Sequence, residues 1–272
     1  MSMDTVALAR RIRIQALKMV ARAKASHIGG VLSIGDIVAV LYGQVIAFDP
    51  EQPIAPQRDR FILSKGHACV AVYSALAEVG FLSVEDLLGY GQNHSVLMNH
   101  ISHRVPGVEF STGSLGHGLP FGTGKALAAK KLGQAWRVFV LMSDGELNEG
   151  SNWEALLFAA HHQLDNLVVI IDYNKLQSLT TTEKTLRLEP LADKLNAFGC
   201  LVREVDGHDH DALSVALSNI PWSIGKPSIL IAHTVKGKGV SFMENKVEWH
   251  YRSPNAEELS QALAELELSH HA

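Results

Sequence analysis

Two short segments place hard oxygen donors directly after apolar runs. Ser143-Asp144-Gly145-Glu146 follows Val138-Phe139-Val140-Leu141-Met142, and Asp172-Tyr173-Asn174-Lys175 follows Leu167-Val168-Val169-Ile170-Ile171. Asp144 offers a carboxylate, and Gly145 lets the backbone approach a phosphate with no Cβ in the way. Asn174 supplies a further oxygen thirty residues later. Oxygen donors at two neighbouring strand ends suit Mg²⁺ or Ca²⁺, above all when a substrate diphosphate fills the remaining coordination positions. The plain alternative for Asp144-Gly145 is a strand-to-helix turn with an N-cap, and the repetition at Asn174 weakens it. The chain also carries fourteen histidines, side chains that exchange protons near neutral pH and donate to developing alkoxides. An isolated histidine is more often structural, which is the preferred reading for His94, His103, His161, His162, His208, His210 and His233.

Such donors need strand ends and helix starts to hold them. Apolar residues recur at helical spacing from Ala7 to Lys24, and a second apolar segment runs from Ile37 to Val45. Pro50 to Pro56 reads as a loop and Arg60 to Ser64 as a short strand. From there the pattern alternates. Helices are expected over Ala68 to Val79, Lys125 to Leu132, Trp153 to Gln163, Leu191 to Phe198 and Asp211 to Ile220. Strands are expected over Val138 to Ser143, Leu167 to Asp172, Leu201 to Val205 and Ser228 to His233. Continuously apolar strands between helices indicate an α/β fold, a doubly wound and mostly parallel sheet covered on both faces. In such sheets ligands sit outside the carboxyl ends of the strands, where Asp144 and Asn174 fall. Gly122-Thr123-Gly124 has the composition of a phosphate loop, but close packing is the more ordinary use of such a pair. Glu154 reads as support for the helix after the metal loop.

Composition narrows the class. The 272 residues are 47% hydrophobic and 19% charged, so a sizeable core can form. Twenty-four Lys and Arg against 28 Asp and Glu leave a formal charge of −4, with no basic footprint for nucleic acid or an anionic membrane. The apolar runs are far shorter than the ~20 residues that span a bilayer. No signal-type cleavage site follows Arg10, Arg11 and Arg13, so the cytoplasm is the expected compartment. Cys69 and Cys200 have no metal-ligand spacing and read as reduced and buried.

Asp144-Gly145, Glu149-Gly150, Glu154-Ala155 and Asn174 together resemble the thiamine diphosphate and Mg²⁺ signature of the transketolase family. The resemblance extends in order over nearly the whole chain, through Ser26-His27-Ile28-Gly29-Gly30, the run Arg58 to His67, the run Pro106 to Gly116, and Thr234 to Val240 ahead of Trp249-His250. It implies a thiamine-diphosphate-binding domain over 1–255, followed by a C-terminal amphipathic helix and tail over 256–272. It also implies Mg²⁺, replaceable by Ca²⁺ or Mn²⁺, on Asp144, Asn174 and the Leu176 carbonyl, with the Gly145 N–H facing the diphosphate. His67 and His250 would lie near the diphosphate and the reactive carbon, and His27 and His100 at the oxygens of the donor sugar. Gly113 and Leu115 would touch the aminopyrimidine ring through their backbone, and Glu149 would join an acidic network at the subunit interface.

No block resembles the one that supplies the glutamate against the pyrimidine ring. In the family that residue, the aromatic wall around it and the main phosphate-gripping arginines belong to the following domain. The expectation is therefore the N-terminal subunit of a split transketolase, inactive alone. A C-terminal transketolase subunit would carry the pyrimidine-binding domain in an α2β2 heterotetramer. The activity implied is transfer of a two-carbon ketol unit from a ketose, a sugar phosphate, to an aldose. The terminal helix and its short polar tail read as a natural end. An α-subunit of a thiamine-dependent 2-oxo acid dehydrogenase shares the cofactor signature, but the four histidine blocks suit a polyhydroxylated sugar. A non-catalytic regulatory subunit would more simply have lost its metal ligands. Three departures from the family pattern bear on the donor rather than on the cofactor groups: His117 for glutamine, Ile28 for proline and Tyr251 for glycine.

Overall fold

The computed structural model describes residues 3–268; the tail expected over 269–272 lies outside them. Helix α1, Thr5–Ala23, opens where the Asp4 carboxylate accepts from the Ala7 N–H and closes on Lys24 in the left-handed conformation. Its stripe of Leu8, Ile12, Ala16 and Val20 is buried, as the spacing predicts. A short α2 (Ile28–Ser33) comes first, and the apolar segment expected over 37–45 is divided between α3 (Gly35–Val40) and a π turn over Leu41–Val45. The break between α2 and α3 falls beside Gly35, where a Cβ would stand 2.9 Å from the Arg13 guanidinium.

Strand β1 (Arg60–Leu63) and helix α4 (Cys69–Glu78) come next, then α5 (Gly118–Lys131), β2 (Val138–Ser143), α6 (Gly150–His161) and β3 (Leu167–Tyr173). The short α7 (Thr182–Thr185) and α8 (Leu191–Ala197) precede β4 (Leu201–Asp206), α9 (His210–Ser218), β5 (Ser228–His233) and α10 (Ala256–Leu268). Helix α5 begins seven residues before the expected Lys125. Pro120 falls in its first turn, where the missing N–H costs nothing. A Cβ at Gly122 would lie 2.6 Å from Val140 Cγ2, so this glycine serves close helix-to-sheet packing.

All five strands are parallel, in the order β1-β2-β3-β5-β4. Alternate residues of the central strands enter two different cores. Phe139, Leu141, Val168, Ile170 and Leu230 pack with α1 to α4, α9 and α10. Val138, Val140, Val169, Ile171 and Ile229 pack with α5, α6 and α8. Burial on both faces removes the period-two alternation of a half-solvated sheet, hence the continuous apolar runs. Edge strand β4 differs, exposing Arg203 and Glu204, charges that discourage edge pairing. Helix α10 lays Ala262 and Leu266 into the first core. No helix among the described residues is long and apolar enough to cross a membrane.

Candidate active site

The register sets Ser143 beside Asp172 and Tyr173 beside His233, so β2, β3 and β5 deliver their following loops to one edge of the sheet. Asp144 is 1% exposed. Its Oδ1 accepts from the Gly145 N–H and its Oδ2 from the Lys175 N–H, both at 2.6 Å. Burial, with Asp172 nearby, pushes its carboxyl up to about 7. Burial alone would raise Asp172 too, but Lys65 and the hydroxyls of Thr234 and Ser33 hold it below the usual carboxylate range. Lys65 Nζ lies 2.5 Å from Asp172 Oδ2, and Ser33 Oγ lies 2.7 Å from it. Asn174 donates through Nδ2 to Asp172 Oδ2 at 3.0 Å, and its Oδ1 accepts from the Leu176 N–H at 3.0 Å.

These groups fit a divalent cation. Asp144 is a sealed carboxylate bonded to main-chain N–H groups alone among the described residues, a state that a nearby cation relieves. No group of three or more His, Cys, Asp or Glu side chains that could hold a metal occurs among the described residues. An ion here would take one carboxylate, the Asn174 amide oxygen and the Leu176 carbonyl. That all-oxygen set suits Mg²⁺ or Ca²⁺ and not zinc.

Four imidazoles gather beside it. His27 lies 5.0 Å from His67, 6.0 Å from His100 and 5.0 Å from His250, centroid to centroid. His27 caps α2 at a φ of 75° and donates its N–H to the His250 carbonyl at 2.7 Å, which ties two distant segments together. His67 stands on the turn that follows β1, and His250 ends the turn Val247–His250. Burial, then His100 and the lysines, lowers His27 to about 4. Burial and Lys236 lower His250 to about 3, and burial with Lys65 takes His67 well down. All three are therefore neutral at pH 7. Lys236 Nζ reaches the carbonyls of Leu176 (3.3 Å) and Gln177 (3.0 Å) and His250 Nδ1 (3.1 Å). Because an ammonium can only donate, His250 Nδ1 accepts and its ring proton sits on Nε2.

A cavity of about 280 Å³ joins the two sets. Its walls hold His27, His67, His100 and His250 together with Asp144, Gly145, Asn174, Leu176, Gly113 and Leu115, which is every residue expected at the cofactor or the sugar. Glu149 is not brought there; it is exposed at the N-cap of α6, beside Gly116. His117, exposed at the N-cap of α5, also stays outside, whereas Tyr251 stands in the wall and is 61% exposed. Ile28 takes the first position of α2, the position at which proline is also favoured. Sequence reasoning passed over Lys65, Lys236 and Gln177, which also line the cavity. It missed Glu146 as well, whose carboxylate binds Ser64 Oγ at 2.5 Å and the Gly116 N–H at 2.9 Å and so braces the loop before α5. The signal for the lysines was the strand-end rule itself, since they follow β1 and β5 by two and three residues.

Residues 5–271 match the family model described as "Transketolase, thiamine diphosphate binding domain". The chain is 46% identical over 241 residues to an apulose-4-phosphate transketolase subunit of Actinobacillus succinogenes, covering 88% of this chain and 87% of that one. It is 39% identical over 257 residues to the 6-deoxy-6-sulfo-D-fructose transketolase subunit SqwG of a Clostridium species, covering 94% of each. The solved transketolase of Leishmania mexicana aligns at a TM-score of 0.92 and 30% identity, over 98% of this chain and 42% of that one. This chain thus spans less than half the length of that transketolase. Fold and family match define a thiamine-diphosphate-binding α/β domain. The chain belongs to the transketolase family.

Proposed function

We propose that this chain is the cofactor-binding subunit of a two-chain transketolase, moving a two-carbon ketol unit from a ketose to an aldose. The observation that carries the reading is the cavity that unites the Asp144, Asn174 and Leu176 oxygens with four histidines and two lysines. When bound, thiamine diphosphate supplies the electron sink for breaking the bond beside the ketose carbonyl. Asp144, Asn174 and the Leu176 carbonyl hold Mg²⁺, for which Ca²⁺ or Mn²⁺ can substitute. Lys65 and Lys236 face the anionic side of the ligand, and the Gly145 N–H donates to it. His27 and His100 hydrogen-bond the sugar oxygens, while His67 and His250 stabilise charge that develops on oxygen during transfer. The neutral imidazoles of His27, His67 and His250 suit this work, because each keeps one N–H to donate and one nitrogen to accept.

The partner is a C-terminal subunit bearing the pyrimidine-binding domain, in a cytoplasmic α2β2 assembly, with Glu149 on the surface where subunits meet. Support comes from relatives of matching length whose names carry the word subunit, and from the 42% of a longer transketolase that this chain covers. Those relatives are named for apulose 4-phosphate and 6-deoxy-6-sulfo-D-fructose, so a ketose with an anionic end is the donor class proposed here. Co-expression with the product of the adjacent gene, followed by assay against a panel of ketose phosphates and sulfosugars, tests this. Transfer by the complex and not by the isolated chain is expected. Transfer by the isolated chain, or undiminished cofactor binding in Asp144→Ala, would overturn the assignment.

A further inference from the structure

Behind the wall that carries Lys236 lies a buried polar relay. Asp36, on α3, is 5% exposed and receives Arg13 Nη1 on Oδ1 at 2.9 Å and Nη2 on Oδ2 at 2.5 Å. The same carboxylate meets two imidazoles from the start of α9, His208 Nδ1 at 2.6 Å and His210 Nε2 at 3.1 Å. His210 is also held from α1, by Thr5 Oγ1 at 2.8 Å. The other nitrogen of His208, Nε2, lies 2.9 Å from the Val235 main-chain nitrogen. A peptide N–H can only donate, so Nε2 accepts and the ring proton sits on Nδ1, directed at Asp36.

Val235 immediately precedes Lys236. The Lys236 side chain is 2% exposed and ends on the carbonyls of Leu176 and Gln177 and on His250. Around Lys236 the main chain is also tied from the Thr234 N–H to the Tyr173 carbonyl at 3.3 Å, from the Lys238 N–H to the Val235 carbonyl at 3.2 Å, from the Gly237 N–H to the Gly29 carbonyl at 2.9 Å and from the Asn245 N–H to the Lys236 carbonyl at 2.8 Å, whereas the Val235 N–H is held by His208. A small rotation of the 234–235 peptide, to which the Val235 N–H belongs, would turn the chain just before Lys236 and be magnified along its side chain into a large displacement of the ammonium.

We propose that His208 is a positioning residue for Lys236: oriented by Asp36, it fixes the Val235 peptide and so aims the ammonium at the loop after β3. The inference rests on the reading of the cavity as a thiamine diphosphate site, but the contact itself is testable without the cofactor. His208→Asn keeps an N–H toward Asp36 and falls short of Val235; His208→Gln carries an amide oxygen far enough to accept from it.

In the full chain, amide exchange at Val235 should quicken at least tenfold in H208N relative to the amides of β5, and return to within threefold of wild type in H208Q. In the two-chain complex, H208N should weaken thiamine diphosphate binding in Mg²⁺ roughly tenfold, the range seen when groups behind a ligand shell are removed. H208Q should rescue it. In a Lys236→Met background H208N should add less than a twofold further loss, because its effect passes through that side chain. Equal losses in H208N and H208Q, unchanged exchange at Val235, or a full additive loss beside Lys236→Met would overturn the proposal. Should H208N fail to fold, the wild-type imidazole decides: long-range ¹H–¹⁵N spectra should show a protonated Nδ1 and a bare Nε2, and a proton on Nε2 would refute it. A wild-type complex that binds no thiamine diphosphate while the exchange pattern holds would sink the cofactor reading and leave the His208 to Val235 contact supported.

Discussion

Lys65 and Asp172 form an ion pair at 2.5 Å with their side chains 1% and 0% exposed, directly beneath the loop that carries Asn174. Removing one member strands the other charge away from water. Lys65→Met should therefore lower the unfolding free energy by about 3–5 kcal/mol. Urea denaturation measures it, and a loss under ~1 kcal/mol would show that Asp172 is already satisfied by Ser33, Thr234 and Asn174.

Two glycines on the same helix should respond oppositely to alanine. At Gly122 a Cβ would collide with Val140, whereas at Gly124 nothing lies within 4 Å. Gly122→Ala should cost roughly 1–3 kcal/mol through overpacking, and Gly124→Ala should gain up to about 1 kcal/mol from helix propensity. Neither should alter the affinity for thiamine diphosphate. A large loss of affinity in either variant would revive the phosphate-loop reading of this segment.

Acid should weaken the Arg13 to Asp36 clasp. Burial opposes ionisation of Asp36, but Arg13, with hydrogen bonds from His208 and His210, holds its carboxyl well below the usual range. A depressed carboxylate contributes stability that is complete above the unfolded pKa of ~3.9 and lost as the pH falls below it toward the folded value. The stability gap between wild type and Asp36→Asn should thus be constant from pH 7 to about pH 5 and narrow below that. Denaturation curves across that interval provide the check; a gap that widens on acidification contradicts the assignment.

At the cavity mouth, Tyr251 lies 4.8 Å from the His250 ring and 6.1 Å from that of His27, and is 61% exposed. Tyr251→Gly should change stability by less than about 1 kcal/mol, because little packing is lost. It should shift the KM ratios among ketose donors of different chain length. Uniform KM values across the panel before and after the change would show that the phenol does not face the substrate.

The chemistry was legible where it follows from strand ends. Asp144 and Asn174 could be picked out because parallel sheets present such positions, and the continuous apolar runs of β2 and β3 declared the sheet buried on both sides. Pairing of the histidines was visible only through family resemblance, since His27 and His250 meet through a main-chain bond across more than two hundred residues. The start of α5 was hidden by Gly118, Pro120 and Gly122, residues that weaken any helical pattern but are admitted here by the first turn and by contact with Val140. His208 looked structural for a sound reason: its partners, Asp36 and Val235, are distant in the chain, and no local spacing reveals such a triad. Glu149 shows the converse, a motif residue whose place on an exposed helix start gives it no share in the cavity of this chain.

With His27, His67 and His250 uncharged at neutral pH, the lysines in and under the chamber, Lys65 and Lys236, stand against the carboxyls of Asp144 and Asp172. Because Asp144, pushed up to about 7, is only partly ionised there, the two lysines are offset by one full and one partial carboxylate charge, and the long-range pull on a bare polyphosphate is weak. A pyrophosphate arriving with its own divalent counter-ion brings a far smaller imbalance. Capture should consequently depend steeply on the concentration of the metal and only weakly on added monovalent salt.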